Sequence, residues 1–226
     1  MTAVNRTGPA PAGGRRKETE MADLREQTLG YYEQNAESFT AGTQSLVFSE
    51  THEKFLALLP EKARILDFGC GSGRDTKAFL SRGYDVDAVD GSEKLCEVAS
   101  AYTGIPVRRL LFSELDAVDA YDGIWACASI LHETKEGLRT LFPKIMRALK
   151  ARGVLYASFK YGDLEGCRET RYFTDFTEES FEAFAASLSL PGRRTYWITS
   201  DVRPGRHGER WLNILWEKGE GTDGVQ

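Results

Sequence analysis

The chain has 226 residues, 41% of them hydrophobic and 28% charged, the balance of a soluble globular protein with one domain or at most two. A formal charge of -5 and a pI near 5.4 argue against a molecule-wide positive field that would draw in nucleic acid. No apolar run approaches the ~18 residues of a spanning helix, so no membrane partner is expected.

In chain order, residues 1–21 are rich in Gly, Pro and Ala and then charged. They lack the apolar core of a signal peptide and read as a disordered extension of a cytoplasmic protein. A helical pattern begins at Asp23 and runs through "DLREQTLGYYEQNAESF"; a second, over 51–59, ends at Pro60. "RILDF" (64–68) is a strand, followed past Gly73 by a helix ending near Gly83. "YDVDAVD" (84–90) is a second strand, and 92–102 a helix with Ser92 as N-cap and Gly104 beyond its end. Strands are expected at 105–112 and 121–129, then a helix over 138–150 that must accommodate Pro143. A fifth strand begins at Gly153. Residues 160–172 read as a polar loop, and the helix after it offers Thr177 and Ser180 as caps. Strands at 194–201 and 210–219 close the chain as an antiparallel pair, before a flexible tail over 220–226. This strand–helix rhythm predicts an α/β domain over 22–219 with a mostly parallel sheet.

The stretch "DFGCGSGRD" carries the chemistry. Gly69, Gly71 and Gly73 alternate between a strand and a helix, where each costs stability unless tight dihedrals or close backbone approach require it. A phosphate loop needs GxxxxGK[ST], and no such Lys follows. A dinucleotide fingerprint needs GxGxxG, but the sixth position from Gly69 is Arg74. Asp67 ends the first strand and Asp90 the second, at the strand ends that line the ligand crevice of an open α/β sheet. Asp90 is placed to accept bonds from two vicinal ribose hydroxyls. Asp67 is placed to hold an ammonium group or to orient the loop. Such a pocket suits a nucleoside with a positively charged amino-acid tail better than a pyrophosphate.

The chain resembles the class I S-adenosylmethionine-dependent methyltransferases. "ILDFGCGSG" is similar to their motif I, "VDAVDGS" to the acidic motif that follows, "YDGIWACASILH" to the fourth-strand motif and "ALKARGVLYASF" to the segment through the fifth strand. The motifs fall in family order over roughly 28–219, and among members the chain looks most like small bacterial enzymes of the tellurite-resistance type. The resemblance implies a Rossmann-like three-layer sandwich with a seven-stranded sheet and an antiparallel C-terminal hairpin. It implies S-adenosyl-L-methionine as cofactor. Asp67, Gly69, Cys70, Gly71 and Gly73 would wall its methionine part and ribose. Asp90 would bind the ribose hydroxyls, with Gly91 and Ser92 on the adenosine side. Phe112 would pack on the adenine ring where many relatives place an acid, and Ala128 and Ser129 would sit by the methionyl part. Arg74 would either reach the cofactor carboxylate or pair with Asp75 at the surface.

Methyl transfer from a sulfonium is an in-line displacement that needs alignment, desolvation and sometimes a base. His132, at the end of "ASILH", is a candidate base or substrate-orienting residue, or else a structural partner of its own loop; Glu133 is a candidate to orient it. Tyr31, Tyr32 and Phe39 belong to a segment that the resemblance makes a lid; Tyr32 and Phe39, seven apart, can share a helix face. The acceptor wall is expected from 159–173, whose Lys160, Tyr161, Glu165, Arg168, Arg171 and Tyr172 include Arg168 as a candidate catalytic residue beside His132 and Tyr32. Arg203, Arg206 and Arg210, near Trp197 and Trp211, suggest an anionic or carboxylate-bearing small molecule. The four cysteines form no CxxC pair and the three histidines have no ligand spacing, so free thiols and no metal are expected. The function that results is methyl transfer to a small-molecule acceptor; the alternatives are a tRNA or protein acceptor, or cofactor binding without turnover.

Overall fold

Alternate residues of each central strand enter opposite helical layers. The computed structural model, which describes residues 12–203 and 205–219, places Ile65 of β1 (Arg64–Phe68) against Phe55 and Phe79 on one face. Leu66 and Phe68 join Ile124 and Phe142 on the other. β4 (Tyr121–Ala126) and β5 (Leu149–Lys160) repeat the pattern, and on the Phe55 face the Trp125 and Tyr156 rings stack with centroids 3.9 Å apart. Burial on both faces is why these strands read as near-continuous apolar runs.

The remaining strands are β2 (Asp85–Asp90), β3 (Val107–Arg109), β6 (Glu165–Arg168), β7 (Arg171–Thr174), β8 (Arg193–Ser200) and β9 (Arg210–Glu217). The seven-stranded sheet has the order β3-β2-β1-β4-β5-β9-β8; β1 to β5 are parallel, and β9 runs antiparallel to both neighbours. Helices α2 (Ser49–Leu56) and α3 (Arg74–Ser81) supply the Phe55 and Phe79 layer. Helices α5 (Lys135–Ala148) and α6 (Glu178–Ser187) supply Phe142 and Phe181 to the opposite one. The result is a three-layer Rossmann-like sandwich. Strand order reverses between β1 and β4, the switch point at which such sheets open a crevice.

Local chemistry sets the ends of these elements. In α4 (Glu93–Thr103) Leu95 N–H donates to Ser92 Oγ at 3.1 Å, and Gly104 closes the helix at φ 82°. Thr177 and Ser180 cap α6 together, each side chain accepting the other's backbone N–H. α5 passes through Pro143, which lies on its exposed face and leaves the Arg139 carbonyl without its helical donor.

The elements depart from the sequence reading in four places. β3 is three residues rather than eight, because Leu111–Glu114 turns, with Leu111 N–H donating to Glu114 Oε2 at 2.8 Å. β5 begins at Leu149, the register to β4 shifting between Tyr121 and Gly123. The expected loop over 160–172 contains the β6–β7 hairpin, turned at Glu169 with φ 54°. Helix α1 (Ala12–Thr43) starts ahead of residue 22 and kinks at Asn35; residues 1–11 and 220–226 of the two expected tails lie outside the described residues. Among the described residues no helix is long and apolar enough to cross a membrane.

Candidate active site

The carboxyl ends of β1, β2 and β4, the second half of α1 and the β7 and β9 region enclose a cavity of about 480 Å³. Its floor is the glycine corner. Gly69 and Cys70 both donate backbone N–H to the Val89 carbonyl at 2.9 Å, which folds the corner over the end of β2. Gly69 takes φ 84°, and a Cβ there would stand 2.5 Å from Ser129 Cβ; at Gly71, φ 56°, it would press on the Phe39 ring. Gly73 faces the other way, toward Ala99 and Thr103 of α4, and does not line the cavity.

Asp90 is fixed by backbone. Gly71 N–H donates to its Oδ2 and Ser92 N–H to its Oδ1, both at 2.9 Å. Burial raises its pKa, against the lowering effect of these donors. Each carboxylate oxygen keeps acceptor capacity after one such bond, enough for two further hydroxyl donors. Gly91 and Phe112 line the same end, Gly91 beneath Leu29 of α1 and the Phe112 ring edge-on to Phe68 at 4.9 Å. Ser92 is fully buried as the α4 cap and does not line the cavity. A glycine floor that excludes a Cβ, beside a carboxylate with acceptor sites to spare, fits a nucleoside with vicinal hydroxyls.

At the other side of the corner Asp67 accepts from Thr76 Oγ1 at 2.6 Å, and burial with the nearby Asp75 charge pushes its pKa up to about 8. Arg74 forms a bidentate pair with Asp75 at 2.7 and 2.8 Å and lies over the Phe48 ring at 4.0 Å. The sequence reading offered this pair as a surface one. It is instead a buried pair on the cavity wall, because Asp75 also accepts from Trp125 Nε1 at 2.8 Å and meets His52 Nε2 at 3.0 Å. Ala128, at φ 50°, lines the cavity with its N–H donated to Ser158 Oγ at 2.8 Å. Cys127 lies beside it, its thiol pushed up to about 12 by burial.

His132 and Tyr32 meet above this floor. Tyr32 Oη stands 2.8 Å from His132 Nε2, and His132 Nδ1 stands 2.6 Å from the Tyr172 carbonyl. A carbonyl only accepts, so Nδ1 carries the proton and Nε2 accepts from Tyr32. Burial holds His132 down to about 4, with the Arg171 charge adding to it. Tyr32 is raised by burial. Phe39 completes this wall, its ring 5.2 Å from that of Tyr32 across the Asn35 kink. Tyr31 points away from the cavity and stacks under Arg171 at 4.4 Å.

Two further expectations are corrected. Arg168 does not line the cavity and is held by Asp175; its cross-strand partner Arg171 lines the cavity instead. Glu133 does not orient His132: it forms a bidentate pair with Arg25 at 3.0 and 3.1 Å, tying α1 to the β4 loop. Arg25 and Thr28, whose hydroxyl accepts from Tyr172 N–H, give no sequence signal beyond lying on a helix. Of the remaining candidates, Lys160, Arg203, Arg206 and Trp211 line the cavity, whereas Arg210 lies over Tyr161 and Trp197 packs on Tyr156. Among the described residues no cluster of His, Cys, Asp and Glu has the makings of a metal site.

The fold is that of an open α/β protein with a glycine corner and an acid at the end of its second strand, an arrangement that fits a nucleoside in the crevice. Residues 65–153 match the family model of the methyltransferase domain. YqeM of Bacillus subtilis (strain 168), which carries a methyltransferase name, is 30% identical over 120 residues, 48% of each chain. The ubiquinone biosynthesis O-methyltransferase of Rickettsia conorii (strain ATCC VR-613 / Malish 7) is 28% identical over 102 residues, 43% of this chain and 35% of that one. The match thus spans half or less of these relatives' length. The 1,6-didemethyltoxoflavin-N1-methyltransferase of Burkholderia thailandensis, solved with 1,6-didemethyltoxoflavin and S-adenosylhomocysteine bound, shares the fold. It is 21% identical with a TM-score of 0.62, covering 95% of this chain and 94% of that one. Residues 65–153 are thus similar to a methyltransferase domain, and the chain shares the fold of a methyltransferase solved with S-adenosylhomocysteine bound.

Proposed function

We propose that this protein transfers a methyl group to a small-molecule acceptor by direct in-line displacement. The observation that carries the reading is the shared cavity: Asp90 and the glycine corner open on the same space as the Tyr32–His132 pair. S-adenosylmethionine, when bound, supplies an electrophilic methyl on a sulfonium. Asp90 takes the ribose hydroxyls, Gly69, Cys70 and Gly71 the close backbone approach, and Gly91 and Phe112 the adenine side. Ala128 and Arg74 flank the amino-acid end.

The chain's own residues then align the acceptor and exclude water. α1 acts as a lid, held by the Arg25–Glu133 pair and by Thr28 on Tyr172, with Tyr32 and Phe39 on its inner face. For an O–H or N–H acceptor, the proton leaves to Tyr32 Oη as Tyr32 passes its own to His132 Nε2. The new bond forms between the methyl carbon and the acceptor atom as the carbon–sulfur bond breaks. The enclosed volume suits a small molecule, as in the toxoflavin methyltransferase that shares the fold.

The test is a methyl-release assay against a panel of thiols, tellurite, amines, phenols and carboxylates. Turnover of at least one small molecule is expected. Methylation of tRNA or protein alone overturns the reading.

A further inference from the structure

The cations around the cavity are not alike. Arg25 meets Glu133, Arg74 meets Asp75, Arg203 meets Asp201, Arg206 meets Glu209, and Lys160 meets both Asp201 and Glu209. Arg171 lines the same cavity and has no carboxylate partner among the described residues. Its Nε is buried without a hydrogen-bond partner. Its guanidinium rests on rings, 4.4 Å from the Tyr31 centroid and 5.3 Å from that of Phe173, and hydrogen-bonds the Tyr32 hydroxyl, a neutral partner. Carbon faces satisfy the flat sides of a guanidinium, but the in-plane N–H donors need an acceptor. A partly buried charge with no counter-charge and an unsatisfied Nε costs stability that a bound anion recovers.

Resting on the methyltransferase reading above, we propose that the acceptor carries an oxyanion, a carboxylate or a phosphate, that Arg171 binds. Arg171 is 6.0 Å from the Tyr32 ring centroid, so an anion on it sets the rest of the acceptor beside the Tyr32–His132 pair. The aromatic walls of Tyr32, Phe39 and Phe173 favour a flat ring between the anion and the reacting atom. Arg171 is thereby a specificity-determining residue, in the place the sequence reading gave to Arg168.

Ligand-observed NMR on the protein saturated with S-adenosylhomocysteine tests this with benzoate, phenyl phosphate and the neutral benzamide. At least one of the two anions is expected to bind about tenfold or more tighter than benzamide, and which one wins separates carboxylate from phosphate. Arg171→Ala should remove that preference while benzamide changes less than about twofold; Arg171→Lys, which keeps the charge without the fork, should keep part of it. The variants' own affinity for S-adenosylhomocysteine reports that they are folded. Benzamide binding as well as both anions, no binding by any of the three, or a preference that survives Arg171→Ala overturns the assignment. Failure to bind S-adenosylhomocysteine at all instead contradicts the methyltransferase reading, so the two failures are distinct.

Discussion

Tyr32 and His132 stand 100 residues apart in sequence and 2.8 Å apart in space, joined by a hydrogen bond from Tyr32 Oη to His132 Nε2. The bond has one direction, because the Tyr172 carbonyl takes the proton on Nδ1. It makes His132 an acceptor that reaches the cavity through a tyrosine.

Breaking either member should cost the same transfer step. With an O–H or N–H acceptor, Tyr32→Phe and His132→Asn should each lower kcat by about 10²–10⁴-fold, and the double variant should lose little more than the worse single one. Acceptors that arrive ionised, such as thiolates, should lose much less. Steady-state kinetics on both acceptor types checks this; equal losses would make the pair structural.

The protonation of His132 sets a pH profile. Burial holds its pKa near 4, so Nε2 is already free to accept at neutral pH. kcat should therefore be level from about pH 6 to 8 and fall only as pH drops toward 4. A limb beginning near 6.5 would mean that His132 titrates as an ordinary exposed histidine. The profile is measured at saturating cofactor, so that donor binding does not contribute.

Asp67 imposes a second dependence, on stability. Its pKa is raised to about 8 by burial and by Asp75, so the folded protein holds a proton there that the unfolded chain releases. The stability it contributes is full below the unfolded value, about 4, and is lost as pH rises through about 8. Asp67→Asn keeps an acceptor for Thr76 and removes the titration. In thermal unfolding without cofactor, the variant should gain on the wild type between pH 5 and pH 8.5. A constant difference across that range would contradict the assignment.

Much of the fold was legible because its strands are apolar on both faces and its turns carry glycine, as at Gly69 and Gly104. Asp90 was legible for the same reason, since the end of a parallel strand has a fixed relation to the crevice. The acceptor side was not. Arg168 and Arg171 are cross-strand partners at the turn of a hairpin with four-residue strands, and no sequence pattern says which one meets Asp175 and which meets Tyr31 of α1. The Tyr32–His132 bond was likewise hidden, because it depends on how a long helix lies across strand ends 100 residues away. His132 and Tyr32 could be chosen singly as candidates, by residue type and by place in the motifs. Their pairing could not.

The donor site is tested most directly by calorimetric titration of S-adenosylmethionine into the wild-type protein and into Asp90→Ala. Saturable binding at one site per chain is expected for the wild type, weakened at least about tenfold in Asp90→Ala by loss of the acceptor for two hydroxyl donors. No saturable binding, or an Asp90→Ala protein that binds as tightly as the wild type, would contradict the assignment of the glycine corner and Asp90 to the methyl donor.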